Sequence, residues 1–282
     1  MRTFQLAVGL ACVLSSHAVF AQQRPLVTDD PETIGAGRLL IEGGIDRAQD
    51  IQYPVSGLRG DLWRAPTIGL SFGLSSIAEL QIDGGLFDSL SIKGRNPAAP
   101  LASLLTATGD STHDFEDAIV ATKIRLLSET AQRPAFGIRF STKLPNASNE
   151  SGLGTDSMDF HILLLGAKTV ESVRVVGNLG VGILSDPVVG NRQNDVLMYG
   201  LSFARAMTQA TELVGEVNGR VSVRSGEPFP GTESRGLLKL GARYTHSSIR
   251  FDGGVFFGLT TIDPSVGFTV GFTYVFNAFQ VP

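Results

Sequence analysis

The sequence predicts an all-β chain folded as a twelve-stranded antiparallel up-and-down transmembrane β-barrel. Three observations lead there. The last strand-like run places Val266, Phe268, Val270, Phe272, Tyr274 and Phe276 on one phase and Gly267, Thr269, Gly271, Thr273 and Val275 on the other. A period of two sets one face against an apolar medium and the other against something else. Runs of that kind recur from Arg38 to the C-terminus, and they are as long as bilayer-spanning strands. The segments between them alternate short and long, as expected for short periplasmic turns and longer extracellular loops.

Composition agrees. The 282 residues are 43% apolar and only 18% charged, with 33 glycines, whereas a soluble domain carries about 25% charge. A net charge of −4 with no basic block argues against a nucleic-acid partner. Arg2, the apolar stretch Phe4 to Leu14 and the small-residue site Val19-Phe20-Ala21 read as a secretory signal peptide over residues 1–21, with a mature chain from Gln22. The single cysteine, Cys12, lies inside that peptide, so the mature protein is expected to carry no thiol chemistry. No later segment is apolar for long enough to form a membrane-spanning helix.

Residues 22–37 form a polar lead, expected to be a solvated periplasmic segment. Strand one, Arg38–Arg47, sets Leu39, Ile41 and Ile45 against Glu42 and Asp46. Strand two is Leu62–Phe72. Strand three, Ala78–Asp88, sets Leu80 and Ile82 against Glu79, Gln81 and Asp83. Strand four is Asp117–Leu127, and strand five, Pro134–Leu144, sets Phe136, Ile138 and Phe140 against Arg139 and Lys143. Strands six and seven are Met158–Lys168 and Val173–Leu184. Strands eight and nine are Val196–Ala206 and Thr211–Val221, the latter setting Leu213 and Val217 against Glu212, Glu216 and Arg220. Strands ten to twelve are Arg235–Tyr244, Ile249–Leu259 and Val266–Phe276, followed by a tail, residues 277–282. An Arg or Lys on the lipid face at mid-bilayer costs about 2–4 kcal/mol, so the charges belong to the inward phase. Lys168 and Arg205 break phase beside short turns, where they can snorkel. Longer loops are expected at Ala48–Asp61, Ser89–Glu116, Pro145–Ser157, Ser185–Asp195, Ser222–Ser234 and Thr260–Ser265.

Several segments carry a family resemblance: Pro25-Leu26-Val27-Thr28-Asp29-Asp30, Thr122-Lys123-Ile124-Arg125, Lys143-Leu144-Pro145 with Gly152-Leu153-Gly154-Thr155-Asp156, Asn178-Leu179-Gly180 and Gly241-Ala242-Arg243-Tyr244. With these the chain resembles the outer-membrane β-barrel family labelled for a MetA pathway of phenol degradation. The resemblance implies a transporter-like barrel passing small or aromatic compounds, and it supplies no catalytic motif. The tail beyond Phe276 departs from barrels that end on the aromatic residue.

The residues expected to line the lumen are Glu42, Asp46, Arg64, Glu79, Asp83, Lys123, Arg125, Arg139, Lys143, Asp159, His161, Arg174, Asn178, Glu212, Glu216, Arg220, Lys239, Arg243 and Arg250. Two arrangements fit them: a polar channel with opposed charged walls, or a plug of paired charges in a bore intermediate between eight-stranded barrels and porins. Lys123, Arg125, Arg139 and Lys143 have no acid between them in phase. Like charges on neighbouring strands repel unless solvated, which points toward a water-filled path.

Asp159-Phe160-His161 reads as a metal pair, an acid–base dyad or simply a hydrogen-bonded histidine. His246-Ser247-Ser248 invites comparison with outer-membrane phospholipases but has no evident third partner. Thr28-Asp29-Asp30 could bind a cation or fold back into the pore. Leu101, Leu104 and Leu105 in the longest loop suggest a lid, a constriction or a docking patch. The resulting expectation is a non-enzymatic outer-membrane channel or facilitator for small solutes, aromatic or anionic ones included. It is set in outer-membrane lipid of a Gram-negative envelope, with no cofactor and no metal. A closed-lumen structural or surface-interaction barrel is the alternative, and a lipid hydrolase the weaker one.

Overall fold

The computed structural model describes residues 24–281; the expected signal peptide, its cleavage site and Cys12 lie outside the described residues. The strands are β1 (Arg38–Tyr53), β2 (Leu58–Gly73), β3 (Ala78–Gly85), β4 (Asp88–Arg95), β5 (Ser111–Asp114), β6 (Ile119–Leu127), β7 (Ala135–Lys143), β8 (Asp159–Val170), β9 (Val173–Ser185), β10 (Gln193–Ala206), β11 (Thr211–Ser222), β12 (Arg235–His246), β13 (Ile249–Gly258) and β14 (Val266–Asn277). Twelve of them close a ring in chain order, from β1 through β2, β3 and β6 on to β14, which pairs back with β1 from Arg38↔Asn277 to Gln49↔Val266. Every pairing is antiparallel, so the ring has no free edge.

β4 and β5 extend the wall beyond the ring. β3 pairs with the lower part of β2, and β4 pairs with its upper part. The break falls at Pro66, which has no N–H to donate, so the strand opposite is interrupted at Leu86 and Phe87. Two sequence expectations are corrected at this end of the barrel. Ala48–Asp61 is largely a continued β1–β2 hairpin, with register shifts at Gly44/Asp46 and Ala48/Ile51. Ser89–Glu116 is a second ledge, the β4–β5 hairpin, which carries a 3-10 turn at Ala102–Leu104. Alternation reads through neither feature, because a bulge inverts the phase of everything beyond it.

The outer face is apolar around the ring: Leu164, Leu179, Leu201, Phe203, Val255 and Phe272 are all exposed. Aromatic residues mark both rims. Trp63 meets Phe268 edge-on, 5.8 Å between ring centroids, at the long-loop end. Tyr274 stacks on Phe276 at 5.1 Å at the short-turn end. Such girdles flank the apolar band of membrane barrels. Inside the loop end lies an apolar cluster of Ala48, Ile51, Leu58, Leu62, Leu90 and Phe256, against which Leu105 and Leu153 pack from the loops.

Candidate functional site: the lumen and its N-terminal lead

The lead is not solvated at the rim; it crosses the interior. Thr28, Asp29 and Asp30 are buried, and residues 24–34 touch inward side chains on strands all around the ring. Its backbone has no sheet partner there, and buried N–H and C=O groups must be satisfied. The inward side chains do this. Glu216 accepts from the N–H groups of Val27 and Thr28, each at 2.9 Å, and from the Thr28 hydroxyl at 2.7 Å. Asn178 accepts from the Asp29 N–H at 2.7 Å and donates to its carbonyl at 2.8 Å, imitating a ladder pair. Lys239 donates to the Pro25 carbonyl, Arg243 to that of Arg24, and Glu79 accepts from the Ile34 N–H. Gly44 and Gly271 stand opposite each other on β1 and β14. A Cβ on Gly44 would lie 2.2 Å from the Arg24 guanidinium, so the absence of side chains is what admits that residue. Arg24 then reaches Thr67, Thr269 and the carboxylates of Asp46 and Asp252.

The lead also supplies acids to the basic strands, which overturns the expectation of an unpaired, solvated basic wall. Lys123 lies 2.9 Å from Glu79 and 3.8 Å from Asp29. Arg139 lies 3.0 Å from Asp29 and 3.7 Å from Asp83. Arg125 pairs with Glu32, and Lys143 sits between Asp117 at 3.0 Å and Asp159 at 3.3 Å. Arg174 grips Asp30 through two nitrogens and also bonds Glu129 in the β6–β7 turn. Removing one partner from a buried pair costs about 3–5 kcal/mol, so this network holds the lead firmly.

Two carboxyls outside the spanning segments anchor the ends. Burial pushes Glu129 up, but the Thr169 N–H, Lys168 and Arg174 outweigh it and hold Glu129 below the usual range. In the β9–β10 loop, burial of Asp186 is likewise outweighed, by the N–H groups of Val188 and Val189 and by Arg192.

Above the lead the lumen is open. A cavity of about 400 Å³ under the long loops is bordered by Tyr53, Arg64, Glu116, Lys143, Asp159 and Arg220. A second, of about 260 Å³, is floored by Val27 and shares Arg64 and Arg235 with the first. A third, of about 210 Å³, lies on Val27 and Thr28 beside Leu163, Met198 and Asn218 and shares Arg220 and Arg235 with the first. Several other expected lumen residues are engaged in pairings of their own. Glu42 accepts from the Thr273 hydroxyl, Glu212 lies 3.6 Å from Arg243, and Arg64 lies 3.1 Å from Glu116. Arg250 borders a small space of about 60 Å³ beside Arg174 and Arg243.

The candidate reactive groups do not assemble. Asp159 is engaged by Lys143 and the Ser185 N–H. Among the described residues no third metal-ligating group joins Asp159 and His161. His246 and Ser247 are exposed at the β12–β13 turn, with no polar side-chain partner among the described residues. The sequence reading held a fold-back of Thr28-Asp29-Asp30 into the pore only as an alternative to a solvated lead, and it missed Arg24 and Glu32 as interior residues. The available signal was complementarity: a basic cluster on strands four and five, and an unassigned acidic run in the lead.

No protein-family model and no curated protein sequence matches the chain. Among solved structures it is similar to an outer membrane channel from Pseudomonas putida F1, with a TM-score of 0.62 at 12% identity over 88% of this chain and 98% of that one. It is also similar to the NanC porin, with a TM-score of 0.52 at 7% identity over 84% of this chain and 98% of that one. The likeness is one of fold: the chain has the architecture of an outer-membrane β-barrel.

Proposed function

We propose that the protein is a non-enzymatic outer-membrane channel that passes small solutes from the loop end, facing the exterior, to the turn end, facing the periplasm. The observation that carries this reading is the series of cavities sharing Arg64, Arg220 and Arg235, which runs from beneath the long loops down to Val27 and Thr28. A lumen built only as a structural plug would be packed throughout, because empty space forfeits contacts. The apolar outer face and the two aromatic rims support residence in lipid. The family resemblance and the names of the similar structures point the same way. The lead is the floor of the path and limits its conductance.

One observation favours the closed structural barrel instead: the lead's crossing is held by many side-chain bonds. The two readings separate in proteoliposomes carrying the refolded protein. A channel gives measurable ion conductance in the wild type and a larger one when residues 24–34 are deleted. Correctly folded protein that conducts in neither form establishes the closed barrel.

A further inference from the structure

The junction of the three cavities is marked by an arginine pair. Arg220 on β11 and Arg235 on β12 stand directly opposite each other. Like charges in that position destabilise a sheet. Both border the first and third cavities, and Arg235 also borders the second. Elsewhere inside the barrel the bases are matched to carboxylates: Lys123, Arg139, Lys143 and Arg174 each lie within ion-pair distance of one. Arg220 is different. Its Nε donates to the Glu233 carbonyl at 2.9 Å and its Nη2 to the Gly231 carbonyl at 2.8 Å. Among the described residues it has no carboxylate partner, and its Nη1 has no hydrogen bond. Arg235 donates to the Gln52 carbonyl and lies 3.8 Å from Asp263, whose other oxygen is already taken by the Gly236 N–H and the Thr260 hydroxyl. Both guanidinium groups border the third cavity, whose described lining holds no carboxylate; the acids Glu116 and Asp159 border the first. Arg250 also lacks a carboxylate partner, but the space beside it, about 60 Å³, is too small for an organic solute.

What lies next to the pair defines the ligand. The third cavity is walled mainly by apolar surface from Val27, Leu163 and Met198, with the amides of Asn178 and Asn218 at its edge. Its volume is about 210 Å³, and an apolar cavity of about 150 Å³ is enough to hold benzene. An anionic group at the arginines with a single ring in the cavity satisfies both surfaces at once. Guanidinium forks suit carboxylates through paired, charge-assisted hydrogen bonds.

We infer that Arg220 and Arg235 form a recognition site for small monocarboxylates bearing one apolar ring. The site rests on the channel reading for its role and deepens it by naming the class of solute. The arriving carboxylate also places a counter-charge between two like charges that stand opposite each other in the sheet.

The test is calorimetric binding to the refolded full-length barrel in detergent, with benzoate, benzyl alcohol and acetate as probes. Benzoate binds, while benzyl alcohol and acetate bind at least about tenfold more weakly, each lacking one half of the recognition. Arg235→Gln weakens benzoate about ten- to a hundredfold and leaves benzyl alcohol unchanged. Arg220→Gln does the same; because Arg220 also holds the loop carbonyls, Arg235→Gln decides the matter if the Arg220 variant misfolds. Leu163→Asn weakens benzoate but not acetate. Benzoate binding no tighter than benzyl alcohol, or unaffected by Arg235→Gln, overturns the inference. Proteoliposome flux separates this from the channel reading. Benzoate that binds but never crosses removes the channel and leaves the site; neutral solutes that cross without benzoate binding remove the site and leave the channel.

Discussion

The two halves of the lumen solve opposite problems. In the turn half a stretch of backbone crosses a barrel with no strand to pair with, and the inward side chains must act as its sheet. Glu216, Asn178, Glu79, Lys239 and Arg243 each satisfy a backbone group of the lead, and Lys123, Arg139 and Arg174 take its carboxylates. In the loop half nothing crosses. The inward face there carries an apolar cluster, three cavities that share lining residues and a pair of opposed arginines. Charge density inside a barrel is therefore no index of openness. Here the denser half is the closed one, because the charges are the partners of a buried segment.

The largest expected effect comes from breaking that partnership. Glu216→Ala removes the acceptor of two backbone N–H groups and one hydroxyl and leaves Lys239, 3.6 Å away, without its carboxylate. Urea unfolding in detergent should show a loss of about 3–5 kcal/mol. Conductance should rise, because the lead's central grip is gone. Arg235→Gln in the open half should change stability by under about 1 kcal/mol, since it also relieves repulsion with Arg220. Equal destabilisation by both variants would erase the distinction between the halves.

A smaller effect tests packing. Ser141 is buried and accepts from Arg139, the partner of Asp29 of the lead, whereas Met198 borders a cavity. Enlarging each to tryptophan separates the two surroundings by space alone. Ser141→Trp should cost about 1–3 kcal/mol through overpacking. Met198→Trp should be close to neutral in unfolding but should lower solute flux in swelling assays. A stable Ser141→Trp barrel would mean that the surroundings of Arg139 are looser than the burial of Ser141 indicates.

Period-two alternation made the ring legible, because lipid outside and polar surroundings inside impose the pattern on every strand. It carried the sequence reading from Ile119 to Asn277 with boundary shifts of a few residues. It failed where the chain leaves that regime. The bulges near Asp46 and Ile51 and the break at Pro66 shift phase, so the long β1–β2 hairpin and the β4–β5 ledge read as loops. It was silent on the lead, which has no alternation because its neighbours are side chains rather than strands. Arg139 and Lys143 were recognisable as inward bases. That Asp29 completes one and Asp117 with Asp159 the other depends on contacts that no local pattern encodes.

The smallest expected effect is on pH dependence, and it too divides the ends. Glu129 in the turn bonds Arg174, which holds Asp30 of the lead; Asp186 in the long loops bonds Arg192 and touches no part of the lead. Both carboxyls are held below their ordinary range. A carboxyl shifted that way contributes stability that is complete above its unfolded value and is lost as pH falls through the folded one. For Glu129 that window opens below about pH 4.3. Protonation of Glu129 removes one acid from Arg174, so the grip on the lead loosens. Conductance in planar bilayers should therefore rise modestly as pH falls through this window. Glu129→Gln should show the raised level already at neutral pH. Asp186→Asn, which alters only the loop end, should leave the rise in place. If Asp186→Asn abolishes the rise and Glu129→Gln does not, the acid-sensitive element lies in the loops, and the turn half is not where flux is limited.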